Sequence, residues 1–279
     1  MSTDNALLTI LVEKINNDTL VLPTLPEIAI KVRQAAENPD INLMEMSDVI
    51  AHDSALTARM IKVANSAFLG RTIKVSTLNQ AVTRIGLRQI KNIATAMAME
   101  QLFVSKNATV KEYLSSSWKK TVEVATCAIS LLSMYIKDNK HTSLNIDTMT
   151  LEALVFNIGI LPILTEAEKH QEVFANPAFL AQAIQKMSGR IGGKILSAWD
   201  FPEEFASVAS IWADPTYKPS EPCYIDFIRI GAIKNGLLKV DSVDDALQTY
   251  VDKKIISDVK VIESEEFLEL YEDAKAMFL

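Results

Sequence analysis

Apolar residues recur at helical spacing along most of this chain. Between Ser54 and Phe68, Leu56, Met60, Val63 and Ala67 form one stripe. Asp53 and Ser54 stand just ahead of it as N-cap residue types, and Gly70 follows as a stop signal. In "STLNQAVTRIG", Leu78, Ala81, Val82 and Ile85 form a second stripe, closed by Gly86. "LRQIKNIATAMAMEQLF" carries Ile90, Ile93, Ala94, Met97 and Gln101 along one face. Residues 118–136 and 147–160 read as long, largely buried helices. Two more are expected at 244–256 and 265–278, joined by "KVIE" as a short extended link. Pro162, Pro177, Pro202 and Pro215 punctuate the second half. Polar connections are expected at "SKNATVK", "DNKHTSLNID" and "ADPTYKPSEPC". The pattern predicts an all-α bundle with short connections.

Composition agrees with that pattern. Of 279 residues, 49% are hydrophobic but only 7% aromatic, and Gly and Pro number 8 and 9, which favours helices over strands and tight turns. The net charge of −7 is unevenly placed. Residues 241–279 hold 11 acidic and 4 basic side chains, so the remainder of the chain balances. Balanced charge and few clustered aromatics argue against a nucleic-acid binder. The acidic segment also carries Leu247, Tyr250, Val251, Phe267, Leu268 and Tyr271 at helical spacing. It is therefore expected to pack on the helical domain and leave its acidic side in water. "MSTDNALLTILVEK" lacks the basic start and apolar core of a signal peptide, and charge interrupts the longest apolar runs. The expectation is a cytoplasmic protein with no membrane contact. Cys127 and Cys223 are far apart and read as two reduced, buried thiols.

His52-Asp53 is the one adjacent His-Asp pair, and such a pair can hold a hydrolytic metal. Neighbours on a helix diverge by about 100°, however, and the remaining histidines, His141 and His170, lie in polar contexts. Asp53 is better read as a helix cap, accepting from the N–H of Ala55 or Leu56, with His52 incidental.

Several motifs together carry a family resemblance. They are Leu25-Pro26, Asp53, the Leu56-Thr57-x-Arg59 run, Ala64-Asn65-Ser66, and the Ala81-Val82-x-x-Ile85-Gly86 run. In this order and spacing the chain resembles the HDOD domain family over about residues 20–215, and the match thins after residue 110. The resemblance implies a multi-helix bundle like that of the HD superfamily of metal-dependent phosphohydrolases. It also implies a mostly non-catalytic signalling role. The expected organisation is an N-terminal helix at 1–19, an HDOD domain at 20–215 and a C-terminal helical extension at 216–279. Pro26, Asp53, Arg59, Asn65, Ser66 and Gly86 are the family-motif positions. For Arg59, Asn65 and Ser66, a buried network locking adjacent helices is preferred to a partner-docking surface.

The same resemblance aligns the former metal ligands. A Trp-x-His-Ser-like start reads "WKKT", with Lys120 at the histidine. The central His-Asp of "LLHDIGK" reads Phe156-Asn157, and the lysine that often follows is Ile160. A later histidine aligns near Ser188, and a His-His near Trp212-Ala213. Each replacement binds metal poorly or not at all. The resemblance thus implies no catalytic residue, no metal, no cofactor, and a partner that is another signalling protein in a bacterial pathway. Two alternatives stand beside it. One is a metal-dependent phosphohydrolase. The other is a pseudoenzyme binding a nucleotide or anion in a vestigial pocket of Lys120, Phe156, Asn157, Ser188, Arg190 and Trp212, assisted by Lys194. Gly189, Gly192 and Gly193 read as close helix packing ahead of a phosphate loop, since they match neither nucleotide-binding glycine pattern.

Overall fold

A computed structural model describes residues 6–69, 73–169 and 177–278. Among them the regular structure is helical, with no strand. Gly70 and His170 lie outside the described residues. The chain divides into two compact units, and both are discontinuous in sequence. One comprises residues 26–100, 122–153 and 219–279; the other comprises 1–25, 101–121 and 154–218. These units cut across the linear division expected from the sequence, because the acidic C-terminal segment joins the unit that holds the family motifs.

The motif-bearing unit begins with α2 (Glu27–Glu37), α3 (Leu43–Ala51), α4 (Ser54–Ala64), α5 (Leu78–Ile85) and α6 (Leu87–Ala98). Their starts are written in polar side chains. Asn42 Oδ1 accepts from Met44 and Glu45 N–H at 2.9 and 3.0 Å, and Glu45 accepts from Asn42 N–H at 3.1 Å, a reciprocal box that fixes α3. Thr77 Oγ1 accepts from Gln80 N–H at 3.3 Å to start α5. Gly86, at φ 83°, ends α5 and turns directly into α6, a backbone conformation that L side chains adopt with strain. The expected stripes point inward: Leu56, Met60, Val63, Ala81, Val82, Ile85, Ile90, Ile93, Ala94 and Met97 are buried.

Two expectations fail here. The helix α4 stops at Ala64 and a separate 3-10 turn follows at Ala67–Leu69. Gln101 is exposed, because α6 tightens into a 3-10 turn at Met99–Leu102 and rotates it off the apolar face.

The acidic C-terminal segment is ordered. It follows α12 (Tyr224–Lys234) and forms α13 (Val243–Asp252) and α14 (Glu265–Ala276). Leu247, Tyr250, Ile255, Ile256, Phe267, Ala274, Met277 and Phe278 are buried, while Val243 and Leu268 are exposed. The helix α13 ends earlier than expected, at a left-handed turn with Lys254 at φ 57°. "KVIE" is not extended: Val261–Glu263 is a 3-10 turn. The helix α14 packs against the Ala67–Leu69 turn. Lys234 Nζ lies over the Phe267 and Tyr271 rings, 4.2 and 4.8 Å from their centroids. Lys253 Nζ bonds both oxygens of buried Asp226 at 2.9 and 2.8 Å.

The other unit contains α1 (Ala6–Asn16), α9 (Ile160–Ala167), α10 (Pro177–Ala198) and α11 (Glu203–Ile211). The long α7 (Ala108–Asp138) and α8 (Ile146–Val155) contribute residues to both units. The expected helix over 147–160 is broken at Phe156–Gly159, where the chain turns before α9. Gly159 lets this turn pack closely, since a Cβ there would overlap the Ser188 carbonyl oxygen. Pro162 falls in the first turn of α9, where its missing N–H costs nothing. Taken together, α8, the turn and α9 (Ile146–Ala167) are long and apolar enough to cross a membrane by length and composition, although Asp147, Glu152 and Glu166 interrupt the run. Of its most apolar window, 89% is buried within the fold, as in the core helix of a soluble protein.

Candidate functional site

The positions that the resemblance aligns with metal ligands do not form one pocket. Phe156 and Trp212 meet edge to face, with ring centroids 4.8 Å apart and both residues buried. Sequence alignment thus brought together two positions that the fold also brings together, but as an aromatic pair inside the core. Asn157 and Ser188 are buried in the same unit. Ser188 belongs to the turn of α10 whose main chain touches Gly159. Lys120 is exposed on α7, and Arg190 is exposed on the far side of α10 from this core.

The donor set does not fit a metal ion. Two aromatic rings, an amide and a hydroxyl offer no imidazole, thiolate or carboxylate at these positions. Among the described residues no three His, Cys, Asp or Glu side chains gather closely enough to hold one. His52 and His141 are both exposed. Neither thiol is poised as a nucleophile: burial pushes Cys127 up to about 12, and burial with neighbouring Asp226 pushes Cys223 up to about 11.

The glycines of "SGRIGGK" lie inside α10, so there is no phosphate loop. Added Cβ atoms at Gly189 and Gly193 would overlap Ser210, and the missing side chains let α10 and α11 pack closely.

The family-motif residues act as local clasps. Asp53 Oδ1 accepts from Leu56 N–H at 2.8 Å and caps α4 as expected. Arg59 Nη1 donates to the Met97 carbonyl at 3.1 Å and pairs with Glu100, which joins α4 to the end of α6. Asn65 Nδ2 donates to Val75 O and Asn65 Oδ1 accepts from Val75 N–H, both at 2.8 Å, so one amide closes the loop before α5. Arg84 donates to the carbonyls of Ala64 and Ile73 and reinforces the same loop. Ser66 Oγ donates to Val63 O at 2.7 Å. These are separate clasps and no single buried network: Asn65 is exposed and Arg59 only half-buried. Buried Pro26 precedes α2 at φ −52°.

Arg190 and Lys194, which the sequence reading joined to a vestigial pocket, line an open groove instead. It has a volume of about 740 Å³ and is lined by Asp18, Lys186, Arg190, Lys194, Ser210 and Asp214 among others. Lys186, Arg190 and Lys194 are spaced i, i+4, i+8 on α10, a basic ladder that the sequence displays openly. Lys194 Nζ donates to Asp18 Oδ1 at 2.8 Å and to Ile15 O at 3.1 Å, and Arg190 Nη2 donates to Asn16 Oδ1 at 3.2 Å. The Lys194 ammonium holds the Asp18 carboxyl below its usual range.

Known proteins agree with the architecture. A crystal structure from Shewanella amazonensis SB2B, of a protein provisionally named a metal-dependent phosphohydrolase, is 42% identical with full coverage of both chains and a TM-score of 0.96. An HDOD domain protein of unknown function from Geobacter sulfurreducens is 18% identical, again over both full chains, with a TM-score of 0.67. A curated protein of Treponema pallidum (strain Nichols), named only as uncharacterized, is 24% identical over 72% of this chain. The chain spans 39% of that relative's length. The HDOD domain family matches residues 22–215, most of both compact units, and the chain belongs to that family.

Proposed function

We propose that this chain is a non-catalytic regulatory module of a bacterial signalling pathway, acting in the cytoplasm by binding another signalling protein. The observation that carries this reading is the Phe156–Trp212 ring pair. Positions that a hydrolase would give to metal ligands are here packed as hydrophobic core. A metal-activated water needs several donors and an open coordination site, and a buried ring pair supplies neither. The name of the Shewanella amazonensis relative would favour a phosphohydrolase. The donor chemistry argues against carrying that activity to this chain. What remains is a helical scaffold whose polar residues brace loops and helix ends, suited to presenting a surface.

Elemental analysis of the purified, dialysed protein tests the reading, together with hydrolysis of bis(p-nitrophenyl) phosphate in added Mn²⁺. Metal content well below one equivalent and no turnover above buffer are expected. One or more equivalents of Mn, Fe or Zn bound away from any tag would overturn the proposal.

A further inference from the structure

We infer that the groove along α10 is a docking site for an acidic peptide segment of a partner protein, read by the Lys186–Arg190–Lys194 ladder. This rests on the protein-binding reading above and names where and by what chemistry that binding occurs. Three observations carry it.

The first is the ladder itself. Eight residues of helix place its outer cations about 12 Å apart along one wall. An extended peptide covers that distance with about four residues. Ser197 and Ser210 add hydroxyls, and Gln185 adds an amide able to pair with peptide main chain.

The second is the occupant already present. Asp18 follows α1 at φ 52°, a left-handed conformation that Asp tolerates better than most residues. That turn delivers its carboxylate to Lys194 at 2.8 Å while leaving the side chain 85% exposed. The molecule thus places a solvent-exposed carboxylate of its own on the ladder, and a partner's carboxylate could exchange with it. Lys186 has no ion-pair partner among the described residues.

The third is what the lining lacks. Among the described residues no aromatic or large apolar side chain lines the groove, so they offer no platform for a nucleobase. Asp214 among the lining residues would disfavour a compact polyphosphate more than a peptide whose charges are spaced apart.

The test is fluorescence anisotropy of a labelled hexaglutamate peptide with the full chain, at low ionic strength and in EDTA. Because EDTA is present, the result does not depend on any metal and stands apart from the test of the catalytic reading. Saturable binding is expected, weakened about tenfold by Lys186→Glu, which breaks no described contact. Asp18→Asn keeps the turn and removes the competing charge, so it is expected to tighten binding several-fold. A merely structural Asp18–Lys194 pair would give no such gain. Absence of saturable binding would sink the proposal, as would equal binding by the Lys186→Glu protein with an unchanged melting temperature. Displacement of the peptide by tripolyphosphate at lower concentration than by unlabelled hexaglutamate would replace the peptide with a phosphate ligand.

Discussion

The two compact units use their signature residues in opposite ways. In the unit with the family motifs, polar side chains bond main chain: Asp53 to Leu56, Asn65 to Val75, Arg59 to Met97. In the other, two positions that the resemblance aligns with metal ligands, Phe156 and Trp212, lie in the core as a ring pair, and nearby Gly159 packs against α10. The first set remains recognisable because loop closure and helix capping admit few residue types. The second set is constrained by shape, because the turn at Phe156–Gly159 sits close against α10 and the rings of Phe156 and Trp212 pack in the core. The contrast teaches that a readable motif and a functional site need not coincide. What identifies this family braces one unit, and two of the positions that the resemblance aligns with metal ligands form a buried ring pair in the other.

The hardest test of that contrast is Phe156→Ala. If Phe156 is core, truncation costs about 3–5 kcal/mol through lost burial and a residual cavity beside Trp212. Urea denaturation measures it. A loss below about 1 kcal/mol would mean that the ring fills a plastic pocket, and would reopen a binding role for these positions.

Much of this was legible beforehand. The stripes of α4, α5 and α6, the Asp53 cap and the packing of the C-terminal segment all follow from residues within a turn or two of each other. That "LVFNIGI" carries Phe156 and Asn157, with neither His nor Asp, is visible directly. Other features were hidden for physical reasons. Around "LVFNIGILPIL" nearly every position is buried, so periodicity carries no phase and the break at Phe156–Gly159 leaves no mark. The Asn65–Val75 clasp joins residues ten apart across a loop, a separation that no helical or strand period encodes. The α10 groove brings Asp18 and Asp214 to a ladder on another helix, and only tertiary packing could do so. Its three cations at four-residue spacing were the one available signal.

A second test bears on how firmly the acidic segment belongs to the motif-bearing unit. Asp226 is buried, accepts from Cys223 N–H at 3.1 Å and holds Lys253 just past α13. Removing it leaves a half-buried ammonium without its partner. Asp226→Ala is expected to cost about 3 kcal/mol, toward the lower end for a broken buried pair. The loss should concentrate in the C-terminal segment, so limited proteolysis of the variant should cut between residues 241 and 265, where the native chain is expected to resist. Rapid cutting of the native chain there, leaving a core of unchanged melting temperature, would show that the segment does not contribute to the unit's stability.

The smallest effect sharpens the comparison at its most suggestive residues. His52 and Asp53 look like a metal pair in the sequence, yet the structure separates their tasks. His52 is exposed at the end of α3, while Asp53 caps α4 through Leu56. Asp53→Ala should therefore cost about 1 kcal/mol, the usual consequence of losing an N-cap oxygen. His52→Ala should change stability by no more than ~0.5 kcal/mol, as at most exposed positions. Paired denaturation curves decide between a cap beside a bystander and a unit of two. In the first case the double variant loses no more than Asp53→Ala alone. Equal and large losses from the two single changes, with a double variant no worse than either, would mean that the residues act together after all, and the reading of this unit as braced by separate local clasps would fail at its best-defined point.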